Sequence, residues 1–198
     1  MPLSPRFDDA LVFARYLHAG QLRKGTAIPY FAHLLAVTAI VLEYGGSEDE
    51  AIAALLHDGV EDQGGQLTRE EIKRRFGESV VIIVDGCSDT DTVPKPPWRE
   101  RKEGYIAHVR HASPSVRLVS AADKLANARS ILADYRQLGE ALWGRFQGEQ
   151  VGTLWYYRAL VTAFREVESS PLIDELDRTV TELEHLVRAR EKSSQKPI

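Results

Sequence analysis

Residues 53–62, Ala53-Ala54-Leu55-Leu56-His57-Asp58-Gly59-Val60-Glu61-Asp62, decide both the fold and the chemistry expected of this chain. A wholly apolar run leads directly into one imidazole and three carboxylates. At about 100° per residue, a helix would place His57, Asp58, Glu61 and Asp62 within an arc of roughly 140°. Such a cluster next to a buried segment is costly unless a cation compensates its charge, which a divalent metal does well. The alternative is a solvated last turn of a helix.

The residues on either side of this stretch predict that it belongs to a helix. Ser47 and Glu50 have the spacing of a capping box, and Gly64-Gly65 mark an end. The predicted helix therefore begins after Ser47 and continues to about Asp62. Acidic residues in its last turn oppose the helix dipole, so a cation there would stabilise them.

Apolar residues recur at helical spacing along most of the chain. They predict further helices over residues 7–19, 30–44, 68–77 with Thr68 as its cap, 99–111, 113–135, 148–167 and 171–190. Residues 79–86 fit either a strand or a helix, and a helix is favoured because helices surround them. Residues 88–98 contain Pro94, Pro96 and Pro97 and predict a loop. With no hairpin pattern and no internal repeat, we expect an all-α, compact multi-helix fold.

Length and composition bound the organisation and the partners of the chain. Its 198 residues are 43% hydrophobic and 27% charged, which predicts one globular domain over residues 1–198, with a core over about 7–165 and a C-terminal helix over about 171–190. A net charge of −4 disfavours binding to long nucleic acids. No stretch approaches the ~18 apolar residues of a membrane span. The lone Cys87 and the absence of a signal-peptide pattern in residues 1–15 favour the cytoplasm.

Two further segments carry polar residues in helical contexts. Asp123 lies in a helix of small residues, with Asn127 one turn on and Ser130 about two turns on, and His33 lies at the start of an apolar helix. Taken alone, the first fits an exposed polar stripe and the second a buried core histidine. Taken together, four residues from three predicted helices form a set of two imidazoles and two carboxylates: His33, His57, Asp58 and Asp123. This set suits Mn²⁺, Fe²⁺ or Zn²⁺ with positions open for water and a substrate.

Four motifs occur in order along the chain. They are residues 18–24 (His-Ala-Gly-Gln-Leu-Arg-Lys), 29–33 (Pro-Tyr-Phe-Ala-His), 54–62 (Ala-Leu-Leu-His-Asp-Gly-Val-Glu-Asp) and 122–129 (Ala-Asp-Lys-Leu-Ala-Asn-Ala-Arg). The chain thereby resembles the HD phosphohydrolase superfamily and, over roughly residues 7–165, the hydrolase domain of the RelA/SpoT homologue family. A synthetase domain is not expected in a chain of this length. The likeness is therefore to stand-alone small alarmone hydrolases, the metazoan SpoT homologue among them.

The resemblance implies an all-α fold, one Mn²⁺ and hydrolysis of the 3′-pyrophosphate of ppGpp to GDP and pyrophosphate. His33, His57, Asp58 and Asp123 match the family's metal ligands. Glu61 and Asp62 match its catalytic acidic pair. Arg23 and Lys24 match a basic pair near the nucleotide, and Asn127 matches a polar contact close to the metal.

The chain departs from the family pattern at Leu34, Gln63 and Ser120, and the last two bear on phosphate contacts. The substrate therefore stays open among guanosine alarmones, pppApp-type adenosine alarmones and the 2′-phosphate of NADPH. A non-catalytic nucleotide sensor is a further alternative, although binding alone would not require Glu61 and Asp62. The oligomeric state is left open.

Overall fold

The computed structural model describes residues 2–88 and 95–194, and the regular elements within these residues are helices joined by short loops. The elements are α1 Pro5–Leu17, α2 Phe31–Glu43, α3 Glu48–Leu56, α4 Gly59–Asp62, α5 Gln66–Phe76, α6 Glu78–Cys87, α7 Trp98–Val109, α8 Pro114–Leu138, a 3₁₀ segment Gly139–Arg145, α9 Glu149–Val167 and α10 Pro171–Ser194. Within these ranges there is no strand, only an isolated bridge between Leu22 and Pro29. The predicted all-α class is confirmed, and the ambiguous segment 79–86 is helical, as favoured.

The centre of the fold is α3, in which every residue from Ala51 to Leu56 is buried. A short helix that is apolar on all sides has to be surrounded, and α1, α2, α6 and α8 pack around it. The long helix α8 also packs against α2 and α6. The C-terminal end of α3, the start of α2 and the middle of α8 therefore meet in one place.

The predicted continuous helix from Ser47 to Asp62 is wrong at its most important point. The capping box of Ser47 and Glu50 is present, but α3 ends at Leu56 and α4 begins at Gly59. At the junction the His57 ring bonds to the Ala54 carbonyl at 2.9 Å, and Asp58 adopts φ −95° and ψ −2°, outside regular helix. The acidic residues therefore converge through a break in the helix, not through a shared helical arc.

Smaller boundaries also differ from the predictions. Thr68 does not cap α5: the cap position is Gly65 at φ 58°, and the Thr68 hydroxyl donates to the Gln63 carbonyl from inside the helix. The predicted loop 88–98 lies partly outside the described residues, and α7 begins directly at Trp98. The last helix continues to Ser194, beyond the predicted end near residue 190.

The C-terminal helix α10 packs along α8 and α9. Its inner face is apolar, with Leu176, Val180, Leu183 and Val187 each buried. Arg158 of α9 also forms ion pairs with Asp177 and Glu184 of α10. None of the helices described here is long and apolar enough to cross a membrane.

Candidate active site

Three side chains meet at the break between α3 and α4. His57 Nε2 lies 2.9 Å from Asp58 Oδ2, and His33 Nε2, from the first turn of α2, lies 3.8 Å from the same oxygen. One ligand atom from each of His33, His57 and Asp58 falls within 4.8 Å of the other two. Both imidazoles are almost completely buried. Residues far apart in the sequence thus present two nitrogens and one carboxylate to a single point.

Asp123 reaches the same point from α8. Its Oδ1 lies 3.1 Å from His33 Nε2 and 3.7 Å from His57 Nε2. The carboxylate also has protein partners, because Asn127 Nδ2 donates to Oδ1 at 2.6 Å and Lys124 Nζ lies 2.5 Å from Oδ2. The structure therefore brings all four of the predicted residues together, with Asp123 adjoining a tighter group of three.

The donor set fits a divalent cation. His57 Nε2, which faces the carboxylates, is buried and makes no hydrogen bond of good geometry to the described residues, although Asp58 Oδ2 lies only 2.9 Å away. Separations of 2.9–3.8 Å between the ring nitrogens and the carboxylate oxygens match neighbouring ligands around one ion, since bonds of about 2.1 Å at right angles place them about 3 Å apart. The group can thus hold a divalent metal through mixed nitrogen and oxygen ligands.

Charge shapes the site when no cation is bound. Burial disfavours the imidazolium, but Asp58 and Asp123 outweigh it and hold the pKa of His57 well above its usual value. Burial also opposes ionisation of Asp58, but the charge of the neighbouring His57 holds the pKa of that carboxyl below its usual value. The charges of Asp58 and Asp123 thus favour the protonated form of His57, and a metal would have to displace that proton.

The predicted catalytic pair lies on α4, the short helix that follows Asp58 in the chain. Glu61 Oε1 lies 2.6 Å from Lys95 Nζ, which comes just before α7. Asp62 Oδ2 accepts a hydrogen bond from Gln21 Nε2 at 2.7 Å. Each carboxylate is held by a side chain from a different segment, so both acids have defined orientations.

A cavity of about 460 Å³ opens beside this group. Its wall includes all three predicted substrate contacts, Arg23, Lys24 and Asn127. Further lining residues are cationic or aromatic, among them Arg101, Lys102, Lys124, Arg145, Trp98, Tyr156 and Tyr157. The volume is that of a small-molecule site, and the lining suits a ligand with anionic groups and a flat ring.

Comparison with known proteins identifies the family. The profile described as HD domain matches residues 10–148, well over half of the chain. The chain belongs to the HD domain family. The four motifs therefore predicted the HD family correctly.

Several proteins of known name or structure are similar to this chain in sequence or in fold. Over 126 residues, the chain is 42% identical to the Xenopus tropicalis guanosine-3′,5′-bis(diphosphate) 3′-pyrophosphohydrolase MESH1, covering 62% of this chain and 68% of that protein. The human counterpart is 37% identical over the same length and the same shares. A solved metazoan SpoT orthologue, described as hydrolysing ppGpp, superposes with a TM-score of 0.78 at 25% identity, covering 92% of this chain and 97% of that one. A Listeria monocytogenes protein gives 0.65 at 30% identity, covering 80% and 99%.

Three residues of this HD site were missed as functional residues in the sequence. Tyr30 donates from its hydroxyl to Asp58 Oδ2, and burial followed by the charge of Asp58 raises its pKa far above the usual value. Lys124 pairs with Asp123, and Gln21 bonds to Asp62. All three lie inside the motifs that carried the resemblance. Their membership in those motifs was their sequence signal, since Tyr30 and Gln21 contact residues of distant segments.

Two of the departures from the HD hydrolase pattern have defined places. Gln63 Nε2 donates to Gln21 Oε1 at 2.7 Å. Ser120 is buried and accepts a hydrogen bond from the Tyr105 hydroxyl at 2.8 Å, so it is not available to a phosphate as the sequence suggested. Among the basic residues of α7, Arg101 and Lys102 line the cavity, whereas the Arg99 guanidinium lies 3.2 Å from the Trp155 ring centroid.

Proposed function

We propose that this protein is a metal-dependent phosphohydrolase that removes the 3′-pyrophosphate of ppGpp, giving GDP and pyrophosphate. The observation that carries the proposal is the direct connection between the four-residue group and the cavity. Tyr30, Lys124 and Asn127 all line the cavity, and each bonds to Asp58 or Asp123. A ligand in the cavity would therefore place its anionic end against the cation site.

In this proposal His33, His57, Asp58 and Asp123 hold one divalent cation, with Mn²⁺ favoured over Fe²⁺ and Zn²⁺. When bound, the cation acts as a Lewis acid toward water and a phosphoryl oxygen. Tyr30 and Asn127 orient the Asp58 and Asp123 carboxylates through hydrogen bonds to them. Such outer partners are what fixes ligand geometry in metal sites.

The acidic pair of α4 supplies the proton chemistry. A carboxylate of Glu61 can accept the proton of the attacking water at Oε1 or Oε2, while Asp62 orients that water. The Lys95 ammonium lies 2.6 Å from Glu61 Oε1 and holds this carboxylate in a defined position. The proton that Glu61 accepts from water can pass to the leaving 3′-oxygen of the nucleoside when its bond to phosphorus breaks.

Substrate binding uses the basic wall of the cavity. Arg23 can stack its planar guanidinium on a purine, and Lys24 can meet a phosphate as a compact charge. Lys102 and Arg101 extend the same positive surface along α7. The names of the relatives support a guanosine alarmone as the ligand. We further propose that residues 1–198 act as one domain and that the protein works in the cytoplasm.

The decisive experiment offers purified, Mn²⁺-loaded protein three nucleotides: ppGpp, pppApp and NADPH. Products are separated by anion exchange, with Glu61→Gln protein as the control for contaminating hydrolases. We expect GDP and pyrophosphate from ppGpp. If the protein releases orthophosphate from NADPH and leaves ppGpp intact, NADPH and not ppGpp is the substrate. If the protein binds ppGpp tightly but forms no product over hours, it is a nucleotide sensor and not an enzyme.

A further inference from the structure

The side-chain amide of Gln21 lies between Asp62 of α4 and the buried His18. Its Nε2 donates to Asp62 Oδ2 at 2.7 Å. Its Oε1 has two partners, His18 Nδ1 at 2.6 Å and Gln63 Nε2 at 2.7 Å. The Gln21 amide therefore connects the loop after α1 with two consecutive residues at the end of α4, Asp62 and Gln63.

The chemistry of the partners permits one orientation of this amide. An ionised carboxylate only accepts hydrogen bonds, so Nε2 must face Asp62 and Oε1 must face donors. His18 then carries its proton on Nδ1 and leaves Nε2 bare. That nitrogen is indeed buried without a hydrogen-bond partner among the residues described. The donors and acceptors around Gln21 are thus mutually consistent.

The histidine that aims the amide is itself held firmly. His18 is only 2% exposed, and its ring stacks on Tyr30 with centroids 5.5 Å apart and an interplanar angle of 23°. By contrast, Asp62 is the last residue of a helix of four residues. A carboxylate in that position has free side-chain torsions unless another group restrains it.

We propose that Gln21 is a positioning residue that fixes the Asp62 carboxylate, with its own amide aimed by His18 and Gln63. The inference rests on the proposed function, which places Asp62 in the catalytic pair. Gln21, His18 and Gln63 are all absent from the cavity wall. Asp62 is also absent from that wall, so the role of Gln21 is argued from its hydrogen bond to Asp62 and not from the cavity lining. Gln63, where this chain departs from the family pattern, becomes a second support for the same acid.

The first test replaces the amide without changing its length. Gln21→Met removes the donor to Asp62, and we expect kcat for ppGpp to fall about tenfold, the effect of losing one charge-assisted hydrogen bond. KM should stay within about twofold of the parent, because no ligand contact is lost. The matched control is Gln66→Met, which removes a glutamine–carboxylate bond to Glu70 on the neighbouring helix α5 and should leave kcat unchanged. A rise in KM with kcat unchanged would overturn the positioning role.

The second test asks whether Gln63 works through Gln21. Gln63→Met removes one of two donors to Gln21 Oε1, so kcat should fall by about threefold. In the double variant, the loss should equal that of Gln21→Met alone, since Gln63 has no amide left to aim. Losses that multiply would mean independent roles, and the proposed chain of contacts would be wrong.

A third measurement needs neither a metal nor a substrate. The side-chain amide protons of Gln21, assigned by their loss in Gln21→Met, are followed by NMR in metal-free protein. Asp62→Asn should shift them and speed their exchange with water, whereas Glu71→Gln, on the exposed side of α5, should not. Unmoved signals would show that the bond to Asp62 does not form in solution. If ppGpp is not hydrolysed, the proposed function fails, yet these signals still decide whether Gln21 holds Asp62.

Discussion

Arg23 and Asn127 are 104 residues apart in the sequence, yet Arg23 Nη2 donates a 3.0 Å hydrogen bond to Asn127 Oδ1. The same amide donates from Nδ2 to Asp123 Oδ1. Asn127 therefore connects the basic loop of the cavity to a proposed metal ligand. Binding of a nucleotide at Arg23 and binding of a cation at Asp123 share this one side chain.

Replacing Asn127 should consequently affect both kinds of binding. In Asn127→Leu, which is close in size, we expect Mn²⁺ affinity to fall by about 10–100-fold, as for other outer partners of metal ligands. KM for ppGpp should rise as well, since Arg23 loses its restraint. Calorimetric Mn²⁺ titration and steady-state kinetics measure the two effects. Gln137→Leu, at an exposed position of the same helix, is the control and should change neither.

The proposed ligands and the proposed base should separate experimentally. Asp58→Ala should lose both bound metal and turnover, because it removes an oxygen from the tightest group. Glu61→Gln should keep the metal and lose turnover by about 10²–10⁴-fold, the usual contribution of a general base. Metal analysis after desalting and a ppGpp assay distinguish them. Parent-like activity in Glu61→Gln would remove that residue from the mechanism.

The core of the fold followed from the sequence because its signals are local. The apolar run of α3 and the capping box of Ser47 and Glu50 act within a few residues, and both predict the helix that forms. The break at His57-Asp58 was not predicted, since periodicity continues through it and only the folded site shows the altered backbone. Likewise, Gly65 with its positive φ, and not Thr68, occupies the cap position before α5.

Some residues of the candidate site could be predicted from the sequence, and others could not. His33, His57, Asp58 and Asp123 could be proposed because chemically unusual residues stood in apolar contexts, and the structure brings them together. Tyr30 and Gln21 carry ordinary side chains whose partners lie 28 and 41 residues away. Residue type gives no hint of such contacts, so only the tertiary structure identifies them.

Close packing between α6 and α8 supports the helix that carries Asp123. A Cβ added to Gly86 would lie 2.5 Å from Val116 Cγ2, with other atoms of that rigid side chain also too close. Gly86→Ala should therefore destabilise the protein by about 1–3 kcal/mol, the usual cost of overpacking. Gly104→Ala on α7 meets no atom within 4 Å and should be neutral or stabilising by up to ~1 kcal/mol. Equal Tm values for the two variants in thermal melts would contradict this account of the α6–α8 contact.

Metal binding should depend on pH through His57. In metal-free protein, the charges of Asp58 and Asp123 outweigh burial and hold the pKa of this imidazole well above its usual value, so the charged ring persists to higher pH than in a free histidine. A metal takes the neutral ring, and binding must release that proton. Mn²⁺ affinity should therefore rise by about tenfold per pH unit until the pH exceeds the metal-free pKa of His57.

The stability of the metal-free fold should also depend on pH through His57. A raised histidine pKa stabilises the metal-free fold below the unfolded pKa, and this contribution is lost as pH rises through the folded pKa. The increase in Tm on adding Mn²⁺ should accordingly grow with pH across that window. Calorimetry in buffers of different ionisation enthalpy counts the released proton directly, with His185→Asn, at an exposed position of α10, as the control. Binding heats that do not vary with the buffer would show that His57 is already neutral and that the two carboxylates do not hold its proton.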